Sequence, residues 1–82
     1  FYNFGTFLFK IGNPKEALIY LYKAFNLKKN FPGLLWNISL CELKLGNYKE
    51  SKRIFLSLSE DIEVPSGIRM RSAEMLTYLN NP

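Results

Sequence analysis

Apolar residues recur along this chain at the spacing of a helix face. Between Tyr48 and Ser59, the residues Ser51, Ile54, Phe55 and Leu58 fall on one stripe, with Lys49, Lys52 and Arg53 mostly off it. Between Gly67 and Leu79, a similar stripe is made by Ile68, Ser72, Met75, Leu76 and Leu79. Neither segment alternates with period two, so a strand reading fails. Five helices are expected: from about Phe1 to Ile11, Pro14 to Leu27, Leu34 to Leu45, Tyr48 to Ser59 and Gly67 to Leu79. The Asn30-Phe31-Pro32-Gly33 run and the Ile62–Ser66 stretch join them, because Pro32 and Pro65 discourage continuous helix.

The chain also repeats itself. At an offset of 34 residues, Lys10, Gly12, Asn13, Lys15 and Glu16 fall on Lys44, Gly46, Asn47, Lys49 and Glu50, five identities in seven positions. Asn3 falls on Asn37, and the small residues Gly5, Ser39 and Ala73 share the same spacing. The repeated block reads mechanically. Gly12 and Gly46 stop a helix in the left-handed conformation. Asn13 and Asn47 then cap the next helix, and Glu16 and Glu50 complete a capping-box-like arrangement three residues on. Pro14 takes the first helical position, where a missing N–H costs nothing. Each repeat is therefore helix, tight turn, helix.

A helix–turn–helix unit of 34 residues resembles the tetratricopeptide repeat (TPR). The resemblance is carried by Phe1, Phe4, Gly5, Leu8, Ala17, Leu21 and Ala24 in the first unit. In the second it is carried by Leu35, Ile38, Ser39, Ser51 and Phe55. It implies an all-α fold, a right-handed α-solenoid of antiparallel helix pairs. The chain divides into one repeat over 1–31, a second over 32–65, and a cap or partial third repeat over 66–82, all one domain. Some positions depart from the pattern. Glu42 stands where Leu8 does, and Leu58 replaces Ala24. Lys29 and Glu63 occupy the place of the repeat-end proline, and Arg69 and Ser72 replace large apolar residues in the last segment. The chain opens on Phe1 rather than Met and reads as a piece of a longer protein.

Composition narrows the chemistry. The 82 residues are 48% hydrophobic and 16% aromatic, which excludes a disordered chain. No apolar run approaches the length of a membrane-spanning helix. A single Cys forms no internal disulfide, and with no His the usual structural zinc set and His-based acid–base catalysis are excluded. Cys41 sits at core spacing and reads as inert packing. One unpaired Cys leans toward a cytosolic setting without fixing it. Residues 1–53 carry nine basic and three acidic side chains, residues 54–82 two basic and four acidic. This imbalance invites acidic partners, but a net charge of +4 is too small to point to nucleic acid. No phosphate loop, nucleophile elbow or dinucleotide fingerprint is present. The chain reads as a non-enzyme without cofactors.

Repeat arrays bind along the surface lined by the first helix of each pair. By resemblance, that surface carries Tyr2, Asn3 and Lys10 from the first helix, Trp36, Asn37 and Lys44 from the third, and Arg71 from the fifth. Aromatic anchors beside amide and cationic donors suit a protein or peptide segment with apolar and acidic groups. Asn3, Asn37 and Arg71, each 34 apart, are expected at equivalent points of three helices, where they resemble the carboxylate clamp of TPR proteins that bind C-terminal tails. That clamp needs two further basic residues. One position precedes Phe1 and the other is Gly67, so a purely structural amide role stays open beside it. Trp36 reads either as anchor or as packing between helices. Lys10, Lys44 and the Lys28-Lys29 pair also fit helix C-termini that favour positive charge. The aromatic start is expected to be core, with Phe4 and Phe7 on the packing face, and its uncovered end to invite contact with missing residues or another copy of the chain. Two alternatives therefore stand beside peptide binding: a scaffold that stacks on other repeats, and a docking segment of an enzyme lying elsewhere.

Overall fold

The computed structural model describes residues 1–27 and 31–81, and the Lys28-Lys29 pair lies outside them. It contains five helices, α1 (Tyr2–Lys10), α2 (Pro14–Asn26), α3 (Pro32–Lys44), α4 (Tyr48–Glu60) and α5 (Ser66–Asn80), and no strand among the described residues. Each helix packs mainly on its neighbours in sequence, with smaller contacts from α1 to α3 and from α3 to α5. The shape is a slab of about 30 × 29 × 18 Å, so it is less than two helix diameters thick.

The two repeated turns have the same hydrogen bonds. Asn13 N donates to Leu8 O and Gly12 N to Phe9 O, at 2.9 and 3.1 Å. Asn47 N donates to Glu42 O and Gly46 N to Leu43 O, at 2.8 and 3.1 Å. This is the Schellman pattern, and it requires a left-handed residue at the glycine. Gly12 has φ +86° and Gly46 φ +81°, and nothing crowds the place where a Cβ would sit. Backbone conformation alone accounts for glycine at both points.

The helix starts differ. Asn13 caps α2 as expected: its Oδ1 accepts from Glu16 N at 3.4 Å and its Nδ2 donates to Glu16 Oε2 at 2.8 Å. Asn47 does not cap α4 with its side chain. Its Nδ2 donates instead to Glu42 Oε1 at 2.9 Å, so the expected second capping box is corrected. Glu42 replaces the Leu8 of the first repeat, and a buried carboxylate draws the amide away from the helix end. Glu50 in turn pairs with Arg53 on the surface, which holds the Glu50 carboxyl below its usual range. The α3 start also moves. Pro32 is its first residue rather than part of the linker, which places proline where its missing N–H is harmless.

The core joins Leu8, Ala17, Leu21, Ala24, Leu34, Ile38, Cys41, Ile54, Phe55, Leu58 and Val64. The α4 stripe read from sequence is fully buried in it. At the α1–α2 crossing Gly5 is required by space: a Cβ there would lie 2.8 Å from the Leu21 side chain. At the equivalent α3–α4 crossing, Ser39 and Ser51 fill the slots of Gly5 and Ala17.

Phe4 and Phe7 correct the reading of the aromatic start. They are 46% and 54% exposed, whereas Gly5 and Leu8 are the buried residues of α1. Among the described residues α1 packs on α2 and α3, which bury Gly5 and Leu8 and leave Phe4 and Phe7 about half exposed. Phe4 meets Tyr20 edge to face with centroids 4.7 Å apart. At the other end, Arg69 reaches back so that its Nη1 donates to Ile62 O and Val64 O, at 3.1 and 3.2 Å. An arginine at an apolar repeat position thus anchors the α4–α5 linker.

Candidate functional site

The seven candidate residues lie on α1, α3 and α5, but in three separate settings. The first joins α1 to α3. Asn37 Nδ2 donates to Tyr2 Oη and to Thr6 Oγ1, both at 3.2 Å. Tyr2 also packs edge to face on Phe31, with centroids 4.7 Å apart. One amide thus satisfies two hydroxyls and fixes the Tyr2 ring. Asn3 is exposed and borders a neighbouring hollow of about 300 Å³ with Phe1, Ala24 and Phe31.

The second setting holds the two repeated lysines. Lys10 and Lys44 line one hollow of about 460 Å³ with Phe9, Gly12 and Pro14. They come from the last turns of α1 and α3. The 34-residue recurrence has therefore brought two cations to one place, above carbonyl ends that favour positive charge.

The third setting lies between α3 and α5. Trp36 is half-buried and meets Phe55 edge to face, with centroids 5.4 Å apart. Its remaining surface lines a hollow of about 210 Å³ with Arg71, Glu74 and Met75. Trp36 thus packs on one edge and leaves open surface on the other. Arg71 is exposed, and Glu74 shares its hollow. Asn3, Asn37 and Arg71 do not meet as a set. Asn3 borders the Phe31 hollow, Arg71 the Trp36 hollow, and the Asn37 amide points at Tyr2 and Thr6.

Sequence reasoning passes over a polar cluster on the other side. Glu42 is 7% exposed, accepts from Tyr22 Oη at 3.1 Å, and accepts from Asn47 Nδ2. Burial, the Glu42 charge and its hydrogen bond push the Tyr22 hydroxyl up to about 12. Burial, with Glu42 adding, pushes the Cys41 thiol up to about 12, so Cys41 is an unreactive packing group. The signal for the cluster is present in the repeat alignment, where an acid at position 42 stands opposite a leucine at position 8.

Among the described residues, no three His, Cys, Asp or Glu side chains gather where they would hold a metal ion, and no helix is long and apolar enough to cross a membrane. Compared with known proteins, the chain matches no family model, no curated protein and no solved structure.

Proposed function

We propose that the chain is a TPR-like array of antiparallel helix pairs, wound as a right-handed solenoid, that binds a peptide segment of a partner protein along the side formed by α1, α3 and α5. The observation that carries this reading is the Trp36 hollow. An aromatic face, a thioether, the Arg71 guanidinium and the Glu74 carboxylate, from two different helices, open onto one space. That combination takes an apolar side chain with neighbouring polar groups, an acidic one on the Arg71 side only. The Lys10–Lys44 hollow gives a second, cationic contact for the same extended ligand. The scaffold is preordered by the Schellman turns and by the Asn37 amide, so little ordering cost falls on the receptor. The activity is binding, without catalysis.

The test is selection of a displayed peptide library on the intact chain, followed by measurement of the selected peptide on variants. Trp36→Ala with Arg71→Ala is expected to weaken binding at least about tenfold while circular dichroism stays helical. Because Trp36 also packs on Phe55, Arg71→Ala and Met75→Ala are measured separately. Selected peptides whose affinity ignores all of these substitutions would reject the groove.

A further inference from the structure

We infer that the cleft between α2 and α4 is a binding site for a small carboxylic acid with a compact apolar body, such as an arylalkanoic or medium-chain fatty acid. The site is separate from the peptide groove proposed above and does not rest on it. The cleft follows from how the two repeats lean on each other. α3 packs on both α2 and α4, while α2 and α4 make no contact with each other among the described residues. Two helices held apart by a third leave a furrow above it. Leu35 and Ile38 of α3 form the floor, Tyr22 and Phe25 of α2 form one wall, and Ile54 of α4 begins the other. Ile38 and Ile54 are buried, and the Tyr22, Phe25 and Leu35 side chains are half-buried. The space is about 270 Å³. At the ~30 Å³ that a water-sized group occupies in a liquid, it holds an apolar body of roughly nine such groups.

Both walls are fixed before anything enters. The Tyr22 hydroxyl donates to Glu42 Oε2 at 3.1 Å, and Asn47 Nδ2 holds the other Glu42 oxygen at 2.9 Å. Glu42, which stands where the first repeat has Leu8, thus ties down the ring that faces the cleft. On the α4 side, Arg53 Nε and Nη2 donate to the Glu50 carboxylate, which steadies the guanidinium at the rim. A mostly apolar hollow with set walls and a few polar groups at its mouth is the ordinary form of a small-molecule site. Little ordering cost then falls on binding.

The rim gives the charge of the ligand. Arg53 and Ser57 stand one helical turn apart on α4, both exposed, and both border the cleft. Arg53 Nη1 and the Ser57 hydroxyl make no hydrogen bond among the described residues, so both are free to donate. No acidic side chain lines the cleft, because Glu42 and Glu50 border a different hollow that shares Arg53. One cation beside one hydroxyl suits a singly charged group with two acceptor oxygens, which is a carboxylate. An ammonium group at the same place would meet Arg53 as a like charge. The apolar body of the acid then lies on Leu35 and Ile38, between the Tyr22 and Phe25 rings and Ile54.

The probes are 3-phenylpropionate, its neutral amide and 3-phenylpropylamine, three molecules of one shape and different charge. Each is titrated into the labelled full chain, and amide and methyl shifts are followed by NMR. Saturable shifts at Tyr22, Leu35, Ile38 and Ile54 are expected, with half-saturation by the acid below about 1 mM. The amide is expected to bind at least about fivefold more weakly than the acid, and the amine more weakly still. Arg53→Gln is expected to bring the acid down to the affinity of the amide without changing the amide, while Glu50→Gln leaves the preference for the acid in place. Ser57→Phe, at an exposed position, sets a ring in the mouth and is expected to weaken all three probes at least about tenfold while circular dichroism stays helical. It gives an independent reading should Arg53→Gln disturb α4. No saturable shifts with any probe up to about 5 mM would overturn the inference. Equal binding of acid and amide would do the same, because the cleft would then take any apolar group, a partner's side chain included. Shifts confined to the Trp36 and Arg71 surface would also overturn it, while leaving the groove reading standing.

Discussion

Ser39 and Ser51 exchange hydrogen bonds across the α3–α4 crossing. Each hydroxyl donates to the other residue's carbonyl at 3.2 Å, and the two oxygens lie 3.4 Å apart in a fully buried site. At the equivalent α1–α2 crossing the same slots hold Gly5 and Ala17 and make no such bonds. Small residues set both crossings, and the second repeat adds a reciprocal polar lock. Ser39→Ala and Ser51→Ala are each expected to lower unfolding free energy by about 1 kcal/mol. The double variant is expected to fall only slightly short of the sum, since each substitution removes one carbonyl bond and the shared Oγ–Oγ contact but leaves the other bond, whose acceptor is backbone. Ser51→Leu forces the helices apart and is expected to cost more, about 2 kcal/mol or above. Urea denaturation of the parent and the four variants checks this, and strict additivity would show that the two hydroxyls act independently.

Asn37 and Asn3 occupy equivalent positions in the two repeats but have different surroundings. Asn37 bonds Tyr2 and Thr6 across α1 and α3, whereas Asn3 is exposed. Asn37→Ala is expected to destabilise the chain by about 1–2 kcal/mol, with α1 amides exchanging faster than the rest. Asn3→Ala is expected to stay within about 0.5 kcal/mol of the parent. Hydrogen exchange with denaturant melts reads both effects. Equal costs would remove Asn37 as the tie between α1 and α3.

The parts of this fold that could be read from the sequence are those decided locally. Gly12 and Gly46 must turn left-handed wherever the helices end up, so both bends are legible from residue type and spacing. The α4 stripe is legible because Ser51, Ile54, Phe55 and Leu58 face neighbours on both sides. Phe4 and Phe7 are not, because periodicity marks an apolar face without saying whether anything covers it. Asn47 is not either, since its amide turns toward Glu42 only once α3 and the following turn are in place. The candidate site divides in the same way. The meeting of Lys10 with Lys44 follows from the repeat. The separation of Asn3, Asn37 and Arg71 depends on side-chain directions and on α1 sitting against α3.

Glu42 offers a test of what a buried acid does here. Its carboxylate has two neutral donors, Tyr22 and Asn47, and the equivalent first-repeat residue is the buried Leu8. Glu42→Leu removes a desolvated charge and frees Asn47 to cap α4 as Asn13 caps α2. The variant is expected to be as stable as the parent or up to about 2 kcal/mol more stable. A loss above about 2 kcal/mol in thermal and urea melts would mean that the Tyr22–Glu42–Asn47 bonds outweigh the cost of burying the acid.

The groups around that acid also give the fold a dependence on high pH. Tyr22 is raised from 10.0 to about 12, by burial first and then by the Glu42 charge and hydrogen bond. Cys41 is raised from 9.0 to about 12, by burial first and then by Glu42. Both groups are neutral when protonated, and both bind their proton more tightly in the folded chain. Their stabilising contribution is therefore fully present below about pH 9 and is lost as pH rises toward 12. Discounted for solvent access, the loss is expected to reach about 1–3 kcal/mol. Lysines and other tyrosines titrate in the same window, so the measurement is a difference. Unfolding free energy is followed from pH 8 to 11 for the parent and for Tyr22→Phe with Cys41→Ala, and the parent is expected to fall more steeply. Alkylation gives a second reading. The Cys41 thiol in native protein at pH 8.5 is expected to react at least about tenfold more slowly than in urea, with a rate set by unfolding. Parallel pH profiles together with rapid native-state alkylation would show that Cys41 and Tyr22 are solvated, and that the Glu42 cluster does not shape the stability of the fold.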